Sequence, residues 1–522
     1  MTVLRALIPS VILGTTLVAG GCNNKSEPGA ITPDAAVSEP INLTSLSRKD
    51  FEKSLVVKSR SVKTSDAETA LEKLHLASPS ADKFTWGNKS GGNGQYSYRN
   101  LKATSQDGHQ VSIGLLELTN VRMENDSPVF DKADMKNVNI TAADSEVTIA
   151  NLSLNDPSPE FSRSLMDAIE SIDDMRNLRR LDLDLDLGVD GKAFGAILLD
   201  NIQITSQDSD ASLNTLGWRE DAKTGKVAFL MEAVEVTTRD EPDAPATVIS
   251  IESFSGTGLD AKALRAMEKG KNLQKRSPLD FFSKYAPATA DIAVKGILVQ
   301  SSTMTAKSDG LISQSQRRGD TVTIRQALKP LTIAFSGQPK GKDAYKLWEG
   351  VKGAGYDDIL ISGSHTLEVN DAAQTFNVSQ GNLTLKDGFA LNYALSGQAA
   401  DDGSAESMNV TTLDFNLTDQ SIVNRAFTYF ALQQGNTPQK TKMQAKGALM
   451  LGGAAAAFMA PTAEEQALIT QTVNSLAGFI DHGGELQVSL RPETPLSLKD
   501  MKNMDRMTTS PKQFGLTIKH IK

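Results

Sequence analysis

Three alternating aspartates are the strongest candidate for chemistry in this chain. Asp182, Asp184 and Asp186 lie in the stretch LDLDLDLGVDG. Carboxylates at this spacing open a calcium-binding loop, which also needs Gly at its sixth position and a bidentate Glu at its twelfth. Leu187 and Ala193 occupy those two positions. We therefore predict a strand with its leucines buried and its aspartates in water, and no metal site.

Other catalytic patterns are also missing from the sequence. The five histidines are His75, His109, His365, His482 and His520. None stands in a paired metal spacing such as His-X-X-X-His, and no Gly-X-Ser-X-Gly nucleophile elbow occurs. The stretch GQPKGKDAY at residues 337–345 lacks the spacing and the Ser or Thr of a phosphate-binding loop. We predict no catalytic residue, no cofactor and no enzyme, with a hydrolase as the disfavoured alternative.

The single cysteine, Cys22, follows a short apolar stretch. Arg5 is the only charge before it, and residues 6–21 are apolar or small, ending in Ala19, Gly20 and Gly21. A charged head, a short apolar core and small residues at its end are typical of a secretory signal. The stretch is too short to span a bilayer comfortably, because a spanning helix needs about 20 apolar residues. We predict a signal peptide over residues 1–21.

The segment that ends at Cys22 resembles the lipobox of bacterial lipoproteins, in which a peptidase cuts before a cysteine that carries lipid. Leu is usual at the first of the three preceding positions, where this chain has Ala19. The resemblance implies lipidation of Cys22, which holds the chain on a membrane. Asp after the cysteine favours the inner membrane, so Asn23 implies the outer membrane and a periplasm-facing protein. An ordinary secretory peptide with a chance cysteine is the alternative.

The residues that follow are typical of a linker. Residues 22–47 are rich in Asn, Ser, Pro and Ala and poor in large apolar side chains, which predicts a flexible tether. The whole chain has a formal net charge of −9, which argues against nucleic acid, whose binding needs a basic face. The remaining length predicts at least two regions, which we place at 48–275 and 276–522.

A short pattern recurs along the chain and predicts its fold. The copies are NLKATSQD at 100–107, NVNITAAD at 137–144 and NIQITSQD at 201–208, with looser copies at 234–254 and 382–395. Each copy pairs with a second run of alternating apolar and polar residues, which is typical of two strands of a β-hairpin. Period two places Leu101, Ala103, Ile202 and Ile204 on the inward face. Duplication and convergence among β-rich sequences both explain the likeness.

Amphipathic segments interrupt these strands. The predicted helices cover residues 65–77, 158–175, 259–273, 418–435 and 462–484. Each has an apolar stripe at helical spacing, so we expect it to pack on the sheet. The predicted fold is mainly β with several helices, in an extended antiparallel sheet of repeated hairpins. The run ALMLGGAAAAFMA at 448–460 is the most apolar piece after the signal; we predict core, with a lipid-facing or partner-facing patch as the alternative.

The chain after the lipobox is similar to the AsmA-like and YdgA-like proteins of bacterial envelopes. The similarity lies in serial alternating strands, in Asn-apolar-polar-apolar starts and in the closing stretch GGELQVSLRPETPLSL at 483–498. It implies a long β-sheet scaffold with a role in lipid handling or envelope maintenance. We therefore predict a scaffold or interaction module, bound to the membrane through Cys22, with an envelope protein or lipid as its partner. The alternative is a carrier of lipid or another hydrophobic ligand in a β-sheet groove.

Overall fold

The computed structural model describes most of the chain beyond the predicted tether. The described residues are 41, 43, 45–80, 84–104, 110–142, 144–159, 161, 194–239, 246–261, 289–339, 342–398, 409–497 and 515–522. Cys22 and the aspartates Asp182, Asp184 and Asp186 lie outside them, as does most of the helix predicted at 158–175. Among the described residues, strands dominate and form large antiparallel sheet structure built from hairpins. This confirms the predicted fold class.

The described residues divide into two compact units. The N-terminal unit holds those from 43 to 261 together with 290–301, and the C-terminal unit holds those from 302 onward together with residues 41 and 289. The strand at Thr289–Gln300 thus belongs mainly with the N-terminal unit, whereas the sequence-based boundary at 275 had assigned it to the second region.

The N-terminal unit is a meander of long strands. Its strands are β1 Asn88–Gly92, β2 Gln95–Thr104, β3 Gln110–Thr119, β4 Arg122–Glu124, β5 Ser127–Val129, β6 Lys132–Thr141, β7 Ser145–Asn155, β8 Ala196–Ser206, β9 Ser209–Glu220, β10 Lys226–Thr238, β11 Thr247–Asp260 and β12 Thr289–Gln300. Apart from the small β4–β5 hairpin, each strand pairs antiparallel with the next one in the sequence. The helix predicted over 259–273 is wrong at its start, because Leu259 and Asp260 end β11.

A row of left-handed backbone positions crosses this sheet on every second strand. Asn100, Asn137, Asn201, Ala233 and Gly296 have φ values of 54°, 54°, 50°, 52° and 60°. The strand register is the same on both sides of each position. L-residues rarely adopt this conformation, and Asn tolerates it better than most. The requirement explains why Asn opens the recurring sequence pattern.

Each left-handed position shifts the alternation of the strand by one residue. In β8, Ile197 and Leu199 contact the same core as Ile202, while Leu198 packs on the opposite face. The inward positions therefore change from odd to even numbers at Asn201. The core-facing residues of β2, β3, β6 and β7 have the same two-three-two spacing. Strict period two, which the sequence analysis assumed, holds only within each half of a strand.

The positions predicted from the repeat to point inward do lie on the inward face of the sheet. They differ in how deeply they are buried. Leu101 and Ala103 are buried, with 2% and 4% of their surface exposed. Ile202 and Ile204 are half-buried, while the intervening Gln203 is exposed. The sheet face is thus more deeply covered at β2 than at the far end of β8.

Among the described residues of the N-terminal unit, two helices pack on the sheet. Helix α1, Arg48–Glu52, is followed by a 3₁₀ turn at Lys53–Leu55, and α2 covers Thr64–Lys73. The α2 residues Ala67, Ala70 and Leu71 are buried in the core formed by β2, β3, β6 and β7. On the other face, α1 is held by Phe51, which is fully buried, and by Arg48, which donates two hydrogen bonds to Asp200.

The C-terminal unit has the same meander with a helical layer. Its strands are β13 Met304–Arg318, β14 Thr321–Phe335, β15 Asp358–Asn370, β16 Thr375–Leu385, β17 Phe389–Gln398, β18 Asn409–Asp419, β19 Glu485–Leu490, β20 Leu496–Ser497 and β21 Thr517–Ile521. Strands β13 to β19 pair in sequence order, β20 pairs with β18, and β21 pairs with β19.

Four helices are seen in the described residues of this unit. They are α3 Lys342–Gly353, α4 Ile422–Gln434, α5 Pro438–Phe458 and α6 Ala463–His482. Residues Val423 of α4 and Phe479 of α6 are buried against Leu486 and Ile518 of the sheet. Helices α4 and α6 confirm the segments predicted at 418–435 and 462–484, and α3 and α5 were not predicted as helices.

Candidate functional site

Helices α4, α5 and α6 form a layer whose ends are fixed by local sequence signals. Gly435 ends α4 in a left-handed conformation, which glycine adopts without a steric cost. Thr437 begins α5 by accepting a hydrogen bond from the Lys440 amide at 3.3 Å, and Pro438 takes the first helical position. Thr462 begins α6 by accepting from the Glu465 amide at 3.2 Å. These caps fix the turn from α4 to α5 and the turn from α5 to α6.

Helix α5 exposes most of its large apolar side chains. Leu451, Phe458 and Met459 are 75%, 89% and 75% exposed, and Met443 and Met450 are also exposed. We call these five side chains the α5 surface. The prediction of a buried core for residues 448–460 is therefore wrong, and the alternative of an outward-facing patch fits the burial. Exposed apolar groups in one place are typical of interaction sites on proteins and membranes.

Helix α5 exposes its large apolar side chains because it packs on its neighbour through its small residues. Gly453 lies directly against Val473 of α6, with no room for a Cβ, and Ala457 is buried. Small side chains allow close approach of two helices. With the small residues facing inward, the Leu, Met and Phe side chains of the same helix point to the outside.

The charges on α5 lie at its N-terminal end. Lys440, Lys442 and Lys446 are in its first turns, and the helix has no acidic residue. Lys446 forms an ion pair with Asp481 of α6, and Lys442 donates to the Asp481 carbonyl oxygen at 3.2 Å. The hydrogen bond from Lys446 holds the pKa of the Asp481 carboxyl below its usual range. These contacts tie α5 to α6 at the end opposite Phe458.

A polar recess of about 730 Å³ lies along the other side of α6 and includes Ser475 and His520. The Ser475 hydroxyl donates to the Ile518 carbonyl oxygen at 3.0 Å. The His520 Nε2 atom is 2.7 Å from the Gly483 carbonyl oxygen, to which it donates. A nucleophilic serine needs a base that accepts its proton. Here both side chains donate to backbone carbonyls instead, which is a structural arrangement.

A smaller, apolar recess of about 260 Å³ lies between α3 and strands β15 and β16, where Val351, Ile359 and Leu385 line it. Its rim is fixed by Arg425 of α4. The guanidinium lies 3.9 Å from the centre of the Tyr356 ring and donates to the Gly355 carbonyl oxygen at 2.6 Å. In this recess, a sheet face and a helix of the C-terminal unit leave apolar space between them.

The N-terminal unit contains a buried polar cluster around Asn120. This side chain is fully buried; its amide donates to Lys58 and Asp131, and its oxygen accepts from the Arg60 amide and from Gln95. Burial raises the pKa of the Asp131 carboxyl, but hydrogen bonds from Arg60, Asn120 and Arg122 outweigh it and hold the pKa below its usual range. Every hydrogen-bonding atom of the Asn120 side chain is thus used to hold the segment before α2 on the sheet.

Of the candidate side chains weighed from the sequence, the structure describes His75, His365, His482 and His520. Within the described part of the chain, no three His, Cys, Asp or Glu side chains are placed to hold a metal ion. Burial lowers the pKa of the His365 imidazole, in β15, to about 4. His109, Cys22 and the three aspartates of 182–186 lie outside the described residues.

No helix among the described residues is both long enough and apolar enough to cross a bilayer. In the sequence, the region of the α5 surface is marked by its lack of charge, since no charged residue stands between Lys446 and Glu464; this signal indicates either a core or a contact surface.

Comparison with known proteins gives one family match, which lies in the C-terminal unit. Residues 340–521 match the model of a family described as an uncharacterized protein, and this range begins just before α3 and ends within β21. No curated protein matches the chain.

Proposed function

We propose that this chain is a non-enzymatic lipoprotein of the bacterial outer membrane, facing the periplasm and acting as a scaffold or interaction module. Cys22 carries the lipid, and residues 22–47 link it to the folded units. The observation that supports a function by contact, not by chemistry, is the α5 surface. It is apolar and exposed, on a helix that packs against α6 at Gly453 and is joined to α6 by the Lys446–Asp481 ion pair, as expected of an interaction site.

The anchor is tested by two substitutions at the predicted cleavage site. Cys22→Ser removes the acylated atom, so the precursor should stay uncut and the protein should leave the membrane fraction after a high-salt wash. Asn23→Asp keeps the lipid and should move the protein from the outer to the inner membrane in a density gradient. Unchanged membrane association of Cys22→Ser would contradict the proposal.

A carrier of lipid or another hydrophobic ligand is the second candidate, and one observation favours it. The recess between α3 and strands β15 and β16 is lined by apolar side chains, including Val351, Ile361 and Leu385. Mostly apolar concave sites are typical of small-molecule binding. Native mass spectrometry of the purified chain should then detect bound lipid, and Leu385→Trp, which fills the recess, should abolish it. Absence of lipid from the unsubstituted protein would reject the carrier function.

A further inference from the structure

We propose that the α5 surface enters the headgroup and upper acyl region of the membrane on which Cys22 anchors the chain. The inference rests on the proposed function, and it names lipid as what the α5 surface contacts. The side chains concerned are Leu451 in the middle of α5 and Phe458 and Met459 at its end. They stand at and before the turn into α6, where Ala460 and Pro461 follow.

The chemistry of this surface fits hydrocarbon better than it fits a protein. Between Lys446 and Glu464 the only side chain with a conventional hydrogen-bonding group is Thr462. That hydroxyl is already used, because it accepts from the Glu465 amide to cap α6. Protein interfaces carry about one hydrogen bond per 100–200 Å² and a polar rim. A surface without such groups suits the acyl region of a bilayer, where every polar group needs an internal partner.

The charge pattern of α5 is complementary to a membrane surface. Lys440, Lys442 and Lys446 precede the uncharged part of the helix, and α5 has no acidic residue. Helices that lie in the membrane interface combine such basic residues with an apolar part that reaches the acyl chains. Lys446 and Phe458 are separated by roughly 18 Å along the helix axis. Lys442 and Lys446 are tied to Asp481 of α6, so Lys440 is the lysine that meets the phosphates when an oblique α5 brings Phe458 to the acyl chains.

The contact that we infer orients the protein and does not anchor it. The helix is too short in its apolar part to span the bilayer, and stable attachment takes a second membrane signal. The lipid on Cys22 supplies that signal. The α5 surface then holds the C-terminal unit at the bilayer, and because its last half carries no charge, the contact should form on uncharged lipid.

The test uses the full lipidated chain in vesicles of phosphatidylcholine alone. Cys22 is the only cysteine and its sulfur is blocked by lipid, so an introduced cysteine is the single reactive thiol. Leu451→Cys, Phe458→Cys and, as the control in the polar recess, Gln471→Cys are each labelled with a small fluorophore that aqueous dithionite reduces. We expect reduction at 451 and 458 to be slower than at 471 by roughly fivefold or more, because those labels lie below the headgroups.

Two outcomes would overturn the proposal. Equal reduction rates at 451, 458 and 471 would show that the α5 surface stays in water. Shielding at 451 and 458 that persists in detergent micelles and rises with protein concentration would show that the surface binds a second copy of the chain.

A further variant separates membrane contact from folding. Leu451 is 75% exposed, so Leu451→Asp should leave the melting temperature unchanged while it restores fast reduction of a label at 458. The mass of the N-terminal peptide is read from the same sample. An unacylated Cys22 would reject the anchor itself, and normal acylation with unshielded labels would reject only the contact of α5 with lipid.

Discussion

Gly453 of α5 lies so close to Val473 of α6 that a side chain at position 453 would overlap the Val473 methyl groups. The neighbouring Gly452 faces open space, with nothing within 4 Å of the position of a Cβ. Two adjacent glycines in one helix therefore have different effects. Gly453 permits the close packing of α5 on α6, whereas Gly452 makes no such contact and only weakens the helix.

This difference predicts opposite effects of the same substitution. Gly452→Ala should raise stability by about 0.5–1 kcal/mol, the usual gain in a helix interior. Gly453→Ala should lower stability by about 1–3 kcal/mol, because it overfills a packed contact. Thermal unfolding of the two variants measures both, and equal shifts in melting temperature would show that α5 does not pack on α6 at this point.

The row of left-handed positions predicts a second pair of effects. Ala233 in β10 has a φ of 52° and an exposed side chain. An L-residue in this conformation costs about 1–2 kcal/mol, so Ala233→Gly should stabilise the N-terminal unit by about 1 kcal/mol. Ala211→Gly in β9, a position paired in register with Ile204 and Val236 on its two sides, should destabilise it by about 0.5–1 kcal/mol. Urea unfolding measures each change, and destabilisation by both variants would contradict the row.

Asn201 gives a matched test at a repeat position. Its side chain is exposed, so Asn201→Gly should be neutral or stabilising, whereas Asn201→Val should cost about 2 kcal/mol because a β-branched residue fits a positive φ poorly. The same unfolding experiment applies. If valine is tolerated as well as glycine, the recurring asparagine has another origin.

The depth of the inward face predicts graded responses to charge. Leu101 is buried and Ile204 is half-buried on this face. Leu101→Asp should unfold the N-terminal unit, because an unpaired charge would be taken out of water. Ile204→Asp should cost less, since water reaches a half-buried side chain, and Gln203→Asp should change stability by less than about 0.5 kcal/mol. Circular dichroism melting curves order the three variants, and equal tolerance of all three would reject the half-buried strand.

His365 predicts a loss of stability in mild acid. Burial lowers the pKa of its imidazole to about 4 in the folded protein, against an ordinary value of about 6.5. Between these values the unfolded chain binds a proton that the folded chain does not, so stability falls as the pH decreases from about 6.5 to about 4. His365→Gln should flatten this slope in urea unfolding curves. A slope that survives the substitution would assign it to other groups.

The hairpins could be predicted from sequence because alternation and turn residues are local signals. The left-handed row was missed because a single period was assumed through each strand, although Asn100, Asn137 and Asn201 stand where the apolar spacing changes from two to three. Helix α3 was missed because its start was weighed only as a phosphate loop. The spacing of Tyr345, Trp348 and Val351 is the signal that could have shown a helix.

The exposure of the α5 surface could not follow from composition alone. An apolar run predicts burial on average, but which of its side chains face outward depends on which residues contact a neighbouring helix. Gly453 and Ala457 face the layer, and this choice is made by tertiary packing. The charge-free interval between Lys446 and Glu464 would have limited the alternatives to a core or a contact surface.

The meander of the N-terminal unit has a consequence for how the chain folds. Each long strand pairs with the next one in the sequence, so contacts form between neighbouring segments, which favours fast folding. A chain delivered from its N-terminus can add one strand at a time to the growing sheet, and each new strand covers the open edge left by the one before. In the C-terminal unit, β18 cannot pair with β19 until α4, α5 and α6, which lie between the two strands in the sequence, have been synthesised. Closing this loop costs more entropy than closing a hairpin, which makes the pairing of β18 with β19 the late step in assembly.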